Sequence, residues 1–303
     1  MNKIHIIYVP GKSPKPEAEH HRELLWRSLL EGIRRAEPEI AMDIEQHKKR
    51  FQIAAWNYKY YQKSHDTAVD LPWIDVLLNQ HGPTQDDIRE AASLKIKLIR
   101  YMYIMADLIP GLIRFLPESA RDTIEETNAY FKNHNNIGYE IRGMLKSLLR
   151  PVLDKNESVL VIGHSLGSVI VYDTLWELSR TEVHKGKVDF ISLGSPLGLR
   201  FIQNQLQGRQ YPNKNRYPDN IHRWINLSSM GDTTAVDKHI ADDFSDMLKY
   251  DLVDSIEDHC DGIYNFYRDD RGLNCHSSYG YLVNPAVGEI IAQWWQDNAS
   301  TEV

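Results

Sequence analysis

Short apolar runs recur along the chain and alternate with longer stretches of helical periodicity. The five clearest runs predict buried strands, and a sixth run is a weaker candidate. They cover residues 4–9, 51–56, 158–163, 188–193 and 223–227, with 263–267 as the weaker one. The run Val159-Leu160-Val161-Ile162 has no polar alternation, which is typical of a parallel strand covered on both faces.

Apolar positions spaced as on one face of a helix lie between these runs. Such faces occur in residues 17–36, in 141–149 before the third run, in 169–176 after it, and in 285–298. Strands that alternate with helices predict an α/β fold with a mainly parallel, doubly wound sheet.

Residues 57–138 break this alternation. They contain a helical stretch rich in Leu, Ile, Met and Tyr at 88–114 but no convincing strand. An insertion of that size between two strands predicts a helical cap, residues 57–138, on a core formed by 1–56 and 139–303. Charged residues interrupt the apolar stretch and Pro110-Gly111 ends it, which favours an amphipathic helix packed on the core over a membrane segment.

Composition narrows the class of protein. The 303 residues suit one large α/β domain, or one with an inserted subdomain. The formal charge of −7 argues against a general nucleic-acid surface, which would be basic. It also gives no reason to expect attraction to anionic lipid.

Cysteine usage and the first apolar run bear on the compartment. Cys260 and Cys275 are too few for a secreted disulfide scaffold, so we expect two free thiols, with a single bridge across the short loop between them as the alternative. The run at 4–9 is short and ends at Pro10-Gly11, as a buried strand does and a signal peptide does not. No apolar stretch is long enough to span a bilayer. The sequence therefore predicts a soluble, cytoplasmic protein without an integral membrane segment.

The motif Gly163-His164-Ser165-Leu166-Gly167 predicts a catalytic serine. Its bare pattern is weak evidence, but a strand leads directly into Gly163 and a helical pattern starts directly after Ser165, which is the context a nucleophile elbow requires. The two glycines fit the crowded turn. The turn raises the Ser165 hydroxyl above the sheet, and the N–H of Leu166 at the helix start faces a developing oxyanion.

Ser195, in Gly194-Ser195-Pro196, is a competing serine. Pro196 lacks the N–H that an elbow needs at the position after the nucleophile. We therefore expect Ser195 to line the rim of the site at the end of a strand.

These motifs together resemble bacterial lipase- and esterase-type α/β hydrolases. The resemblance rests on Gly163–Gly167, on the later Leu193-Gly194-Ser195-Pro196-Leu197, on an aspartate after the next strand, and on a late histidine. It covers the sheet-forming parts and not the cap. It implies the α/β-hydrolase fold, a Ser–His–Asp triad, and hydrolysis of an ester or a related acyl bond.

In that fold the acid follows the serine along the chain and the histidine comes last. Asp232 follows the strand 223–227 after a short loop, which places it level with the nucleophile, and Asp237 is the alternative on the same loop. A turn or helix-capping role before Thr233 and Thr234 is the competing interpretation of Asp232.

Three histidines follow Asp232, and His276 is the predicted base. It lies on the loop before the last helix, where this fold carries its base, and the resemblance indicates the same loop. His259 is the alternative. His239 begins a helical stretch and is more typical of a surface histidine. His164 leaves the tight turn in another direction and is interpreted as a packing residue.

A second oxyanion donor is expected in the loop after the first strand. The resembled enzymes often have His-Gly there, whereas this chain has Pro10-Gly11. Pro10 has no N–H to donate, so Gly11 or Lys12 must supply it.

No metal or cofactor is predicted. The candidate ligands around 259–261 and 275–276 match no standard zinc spacing, and His20-His21 is interpreted as a solvated helix face.

The sequence thus predicts a serine hydrolase that acts on a small-molecule or lipid-like acyl ester through an acyl-enzyme. A thioesterase, amidase or acyltransferase would use the same triad, and a catalytically silent binding module would have the same fold. The apolar composition of 98–109 suggests that the cap selects apolar acyl groups.

Overall fold

The computed structural model describes residues 3–181 and 186–299. Its strands form a six-stranded sheet and a separate two-stranded one. They are β1 (Ile4–Val9), β2 (Phe51–Ile53), β3 (Ser158–His164), β4 (Val188–Leu193), β5 (Ile221–Leu227), β6 (Ser255–His259), β7 (Arg268–Asp269) and β8 (Gly272–Leu273).

The large sheet has the order β2-β1-β3-β4-β5-β6, and every neighbouring pair in it is parallel. The chain moves outward from β1 to β2 and then returns to the other side of β1 to add β3. The strand order therefore reverses between β1 and β3, where Val9 pairs with Gly163. In open α/β sheets, ligands bind outside the carboxyl ends of the strands at such a switch point.

Fourteen α-helices lie in the part of the chain that the structure describes. They are α1 (Ala18–Ala36), α2 (Pro38–Gln46), α3 (Asn57–Tyr61), α4 (Thr67–Asn79), α5 (Gln85–Ala91), α6 (Leu94–Leu108), α7 (Glu118–Lys132), α8 (Ile137–Asp154), α9 (Leu166–Thr181), α10 (Arg200–Gln203), α11 (Ile240–Asp243), α12 (Ser245–Lys249), α13 (Ser278–Leu282) and α14 (Pro285–Ala299). Short 3-10 turns span Lys48–Arg50, Pro110–Phe115, His134–Asn136 and Asn213–Arg216.

Helices cover both faces of the sheet. Because side chains alternate along a strand, Ile7 and Val9 pack with α8 and α9 on one face, whereas Ile6 and Tyr8 pack with α1 and α14 on the other. The backbones of α1 and α14 touch: a Cβ atom added at Gly288 would overlap the carbonyl oxygen of Gly32. The α/β class and the parallel, doubly wound sheet agree with the sequence prediction.

Five of the six predicted strands are present, with small changes at their ends. β2 ends at Ile53 because the chain turns there into α3, and β5 begins two residues earlier than predicted. The prediction of a strand at 263–267 was wrong: that segment is irregular, and the sixth strand is Ser255–His259. β6 is an edge strand with only one buried side chain, Ile256, so it shows no apolar run.

Residues 57–138 contain helices and turns and no strand. The helical stretch predicted at 88–114 is divided: α5 ends at Ala91, and Ser93 caps the start of α6 by accepting a hydrogen bond from the N–H of Ile96. The insertion also separates into two parts: α4 packs against α1 through Ile74 and Leu77, whereas α6 and α7 line a cavity with Ser165.

Two smaller expectations can be compared with the structure. Within the described residues, no helix is long and apolar enough to cross a membrane. The interpretation of His20-His21 as a solvated face was wrong for His21, which is buried and packs edge-on against Tyr279.

Candidate active site

Ser165 occupies the single-residue turn between β3 and α9. Its φ of 54° lies in the left-handed region, which is strained for a residue with a side chain. The neighbouring glycines allow this turn, because a Cβ at Gly163 would lie 2.7 Å from the Cα of Ser168 and one at Gly167 would overlap the carbonyl oxygen of Val9. The sequence therefore forms an elbow that holds the serine at the switch point of the sheet.

Three predicted residues from distant parts of the chain meet at this elbow. The Nε2 atom of His276 lies 2.9 Å from the Oγ of Ser165. The Nδ1 atom of the same ring lies 2.8 Å from Oδ2 of Asp232. This is the arrangement in which a histidine removes the serine proton and a carboxylate orients the ring.

Asp232 is buried and held by four donors. The carboxylate accepts hydrogen bonds from His276, from the hydroxyl of Tyr281 at 2.7 Å, and from the N–H groups of Thr234 and Ala235. Burial alone would raise the pKa of Asp232, but the charge of His276 and these hydrogen bonds lower it to about 2. The carboxylate is therefore ionised at neutral pH.

Tyr281 was missed by the sequence analysis. Its buried hydroxyl donates to Asp232 and accepts from the N–H of Ser229, so it fixes the acid and the acid's loop together. It lies on α13, directly after the loop of His276. The only signal in the sequence is this closeness to the predicted base.

Tyr281→Phe should make the fold less sensitive to acid. Because the folded-state pKa of Asp232 lies below its unfolded value of about 3.9, its carboxylate stabilises the fold above pH 4, and this contribution is lost as the pH falls through about 2. Removing one hydrogen bond should raise that pKa. Between pH 5 and pH 2 the free energy of unfolding should therefore fall by about 1 kcal/mol less in the variant than in the wild type. Urea unfolding at both pH values measures the difference.

The matched control for this variant is Tyr279→Phe, on the same helix and also buried. It should leave the acid dependence of unfolding unchanged. Equal acid dependence in the wild type and in Tyr281→Phe would show that the tyrosine hydroxyl does not tune Asp232.

The alternative residues lie outside this hydrogen-bonded chain. Asp237 accepts a hydrogen bond from the backbone N–H of His239, and its Cβ packs next to Gly198. His259 is exposed at the end of β6 and lies 3.6 Å from Glu257. The His239 ring lies 3.9 Å from the Sγ of Cys260.

Ser195 does not line the rim of the site as expected. It is buried beneath the elbow, where its hydroxyl lies 2.7 Å from the hydroxyl of Ser168. Ser168 in turn donates to the carbonyl oxygen of Ser165 at 2.6 Å. The Ser195 hydroxyl is hydrogen-bonded to the N–H of Leu197 and to the Ser168 hydroxyl. Through Ser168 it supports the turn that holds Ser165.

His164 has a larger part in the site than packing. Its Nε2 donates to the carbonyl oxygen of His276 at 2.8 Å, and the centres of the two rings lie 4.7 Å apart. Burial, with a contribution from the nearby His276, lowers the pKa of His164 well below its usual value, so this ring stays neutral. It fixes the backbone of the His276 loop without adding a second positive charge.

The predicted oxyanion donors lie on either side of Ser165. Leu166 is the first residue of α9, so its N–H has no acceptor within the helix. On the other side, a Cβ at Gly11 would lie 2.9 Å from the Cβ of Ser165, which shows how closely the loop after β1 approaches the nucleophile. Lys12 lines the same cavity.

The cavity beside Ser165 is small, about 30 Å³. It is lined by residues of the loop after β1 and of the helices α6, α7 and α9. Residues between 196 and 202, together with Thr234, form the rest of the lining. Three of the lining residues, Tyr103, Thr123 and Thr127, carry hydroxyl groups. A larger cleft of about 380 Å³ lies between α14 and the strands β4–β6, but the nucleophile does not line it.

Metal and thiol chemistry find no support in the described residues. No group of three His, Cys, Asp or Glu side chains there is arranged to hold a metal ion. Cys260 and Cys275 are both buried and unbridged, as predicted.

Comparison of the chain with protein-family models, with curated proteins and with solved structures finds no match. The function must therefore be argued from the geometry of the site.

Proposed function

We propose that the protein is a serine hydrolase with the α/β-hydrolase fold, which cleaves a carboxylic ester through an acyl-enzyme. The single observation that carries this proposal is the continuous chain of hydrogen bonds from Ser165 through His276 to the ionised Asp232. A serine hydroxyl is too weakly acidic to attack a carbonyl at neutral pH unless a base of this kind removes its proton.

The reaction has two steps in this geometry. His276 takes the proton of Ser165 as Oγ attacks the acyl carbonyl, and Asp232 stabilises the imidazolium that forms. The N–H of Leu166 and those of Gly11 and Lys12 stabilise the oxyanion. His276 then protonates the leaving alcohol and activates a water that releases the acyl group. No cofactor takes part in this scheme.

The size of the cavity favours a short acyl group. A space of about 30 Å³ holds about two water-sized groups, enough for the methyl end of an acetyl group. An octanoyl chain would need α6 and α7, which line the cavity, to move away. The structure therefore favours small acyl esters over the lipid-like substrate suggested by the composition of the cap, and this preference is part of the proposal.

Catalytic efficiency should fall steadily from acetyl to butyryl to octanoyl esters of one alcohol. Ile124→Ala should enlarge the cavity, because Ile124 lines it from α7. Each further methylene buried is worth about 0.8 kcal/mol, so the butyryl-to-acetyl ratio of kcat/KM should rise about tenfold in this variant. Steady-state kinetics with a graded series of p-nitrophenyl esters measures the ratio.

Ile113→Ala is the matched control, because Ile113 packs in the same small cluster of the cap but does not line the Ser165 cavity. Its butyryl-to-acetyl ratio should equal that of the wild type. A wild-type efficiency that rises towards octanoyl would contradict the short-acyl assignment and restore the lipid-like one. A thioester and an amide of the same acyl group, added to the series, separate the esterase from a thioesterase or an amidase.

A further inference from the structure

We propose that Asn57 is a positioning residue that holds the oxyanion loop, residues 10–13, so that the N–H groups of Gly11 and Lys12 face Ser165. The inference rests on the proposed hydrolase function. Asn57 is the first residue of the cap and of α3, far from the elbow in sequence, and it carries no motif. Its side chain hydrogen-bonds to the loop and not to Ser165, His276 or Asp232, so we infer that it acts through the loop.

Three of the four carbonyl groups of the loop accept hydrogen bonds from Trp56 and Asn57. The Nδ2 of Asn57 donates to the carbonyl oxygens of Gly11 at 2.8 Å and of Ser13 at 2.9 Å. The indole Nε1 of the preceding Trp56 donates to the carbonyl oxygen of Pro10 at 2.9 Å. Asn57 and Trp56 are both almost fully buried, and their bonds to the carbonyls of Pro10 and Gly11 are shielded from water.

The planar peptide unit turns these bonds into an orientation of the donors. A carbonyl group and the N–H that follows it belong to one trans peptide and point in opposite directions. When Trp56 holds the carbonyl of Pro10, the N–H of Gly11 points away from Trp56. When Asn57 holds the carbonyl of Gly11, the N–H of Lys12 points away from Asn57.

The loop that Trp56 and Asn57 hold lies beside Ser165. Gly11 approaches the Cβ of Ser165, and Lys12 lines the cavity that Ser165 also lines. The two peptide units that follow Pro10 and Gly11 therefore present their N–H groups where the oxyanion develops. One amide side chain fixes the second of these units directly.

Backbone strain in the loop explains why outside bonds are needed. Ser13 has a φ of 79°, in the region that residues with side chains rarely adopt because it is strained. Its N–H donates to the hydroxyl of Tyr61, which in turn donates to Glu126 on α7. The loop is thus held in its strained form by α3, through Asn57 at one end of that helix and Tyr61 at the other.

The unpaired Oδ1 atom of Asn57 indicates that the fold requires the NH₂ group of this side chain. Its Oδ1 is buried and has no hydrogen-bond partner. An unpaired buried oxygen is costly, so an amide is unfavourable at this position unless its NH₂ group is needed. Both hydrogens of that NH₂ are used on the loop.

The test compares an ester with its thionoester, in which sulfur replaces the carbonyl oxygen. Sulfur accepts hydrogen bonds weakly, so the oxyanion hole accelerates only the ester strongly. In Asn57→Ala we expect kcat for the ester to fall about 100-fold, as when an oxyanion donor is removed, with a much smaller change in KM. The kcat for the thionoester should change little, so the ester-to-thionoester ratio should collapse.

Asn220→Ala is the matched control. Asn220 is also buried, also donates through Nδ2 to a backbone carbonyl, that of Leu175, and also has an unpartnered Oδ1. It lies away from the site, so its variant should keep the wild-type ratio. A general loss of rigidity would lower kcat for the ester and for the thionoester together, in either variant.

Asn57→Asp covers the case in which the alanine variant does not fold. This variant keeps the shape of the side chain but replaces the NH₂ donor that faces the carbonyls of Gly11 and Ser13 with an oxygen, which cannot donate. It should therefore lower the ester-to-thionoester ratio of kcat as well. An active wild type whose ratio is unchanged in a folded Asn57 variant would overturn this inference alone. A wild type that hydrolyses neither substrate and is not labelled at Ser165 would overturn the hydrolase proposal and this inference with it.

Discussion

Ser165→Ala should abolish ester hydrolysis and labelling by a fluorophosphonate while the fold stays intact. The variant removes only the Oγ that His276 contacts, and alanine fits the turn that serine already occupies. Because triad members act as a unit, we expect kcat to fall by at least about 10⁴-fold. Mass spectrometry of the labelled protein and thermal unfolding measure the two outcomes.

Ser195→Ala is the control for this result. Its hydroxyl is bound beneath the elbow and does not reach the base, so the variant should still be labelled at Ser165. Labelling of Ser165→Ala, at Ser195 or elsewhere, would refute the assignment of the nucleophile. A pure wild-type protein that reacts with no phosphonate and no ester would favour the catalytically silent binding module.

Asp232→Asn should lower kcat by about 10⁴-fold with little change in KM. The amide has nearly the shape of the carboxylate, but it cannot stabilise the imidazolium of His276 and favours the wrong tautomer of that ring. The matched variant is Asp237→Asn, on the same loop but outside the hydrogen-bonded chain, and it should keep nearly normal turnover. Steady-state kinetics on an acetyl ester compares them.

The histidines give the same comparison. His276→Ala should lose activity by orders of magnitude, and the exposed His259→Ala should not. An active Asp232→Asn beside an inactive Asp237→Asn would move the acid to residue 237. An inactive His259→Ala beside an active His276→Ala would move the base to residue 259.

The central strands and the triad candidates could be predicted because their signals are local. The strand that ends at the elbow is a continuous apolar run, and the two glycines mark its turn. Chain order then limits the acid and the base to a few residues. The edge strand β6 was missed because an edge strand exposed to water needs only one apolar side chain, Ile256, and leaves no apolar pattern.

The supporting residues could not be predicted, because their roles depend on contacts between distant segments. Asn57 acts on a loop 46 residues earlier in the chain, and Tyr281 binds a carboxylate 49 residues earlier. No spacing rule links a side chain to a backbone carbonyl at such separations. The size of the cavity was equally hidden, because it depends on how closely the cap packs above Ser165.

The last helix, α14, packs against α1 and α2 from the beginning of the chain. Trp295 donates a hydrogen bond to Asp43 across 252 residues of sequence, and His5 on β1 meets Glu157, 152 residues away, beside the start of β3. Contacts of such long range close large loops before they are stabilised, and they slow folding. During synthesis, β1 and α1 emerge first, yet the side of α1 that packs on α14 stays uncovered until residues 285–299 are made. A ribosome-bound chain without α14 therefore exposes the face of α1 on which Gly32 lies.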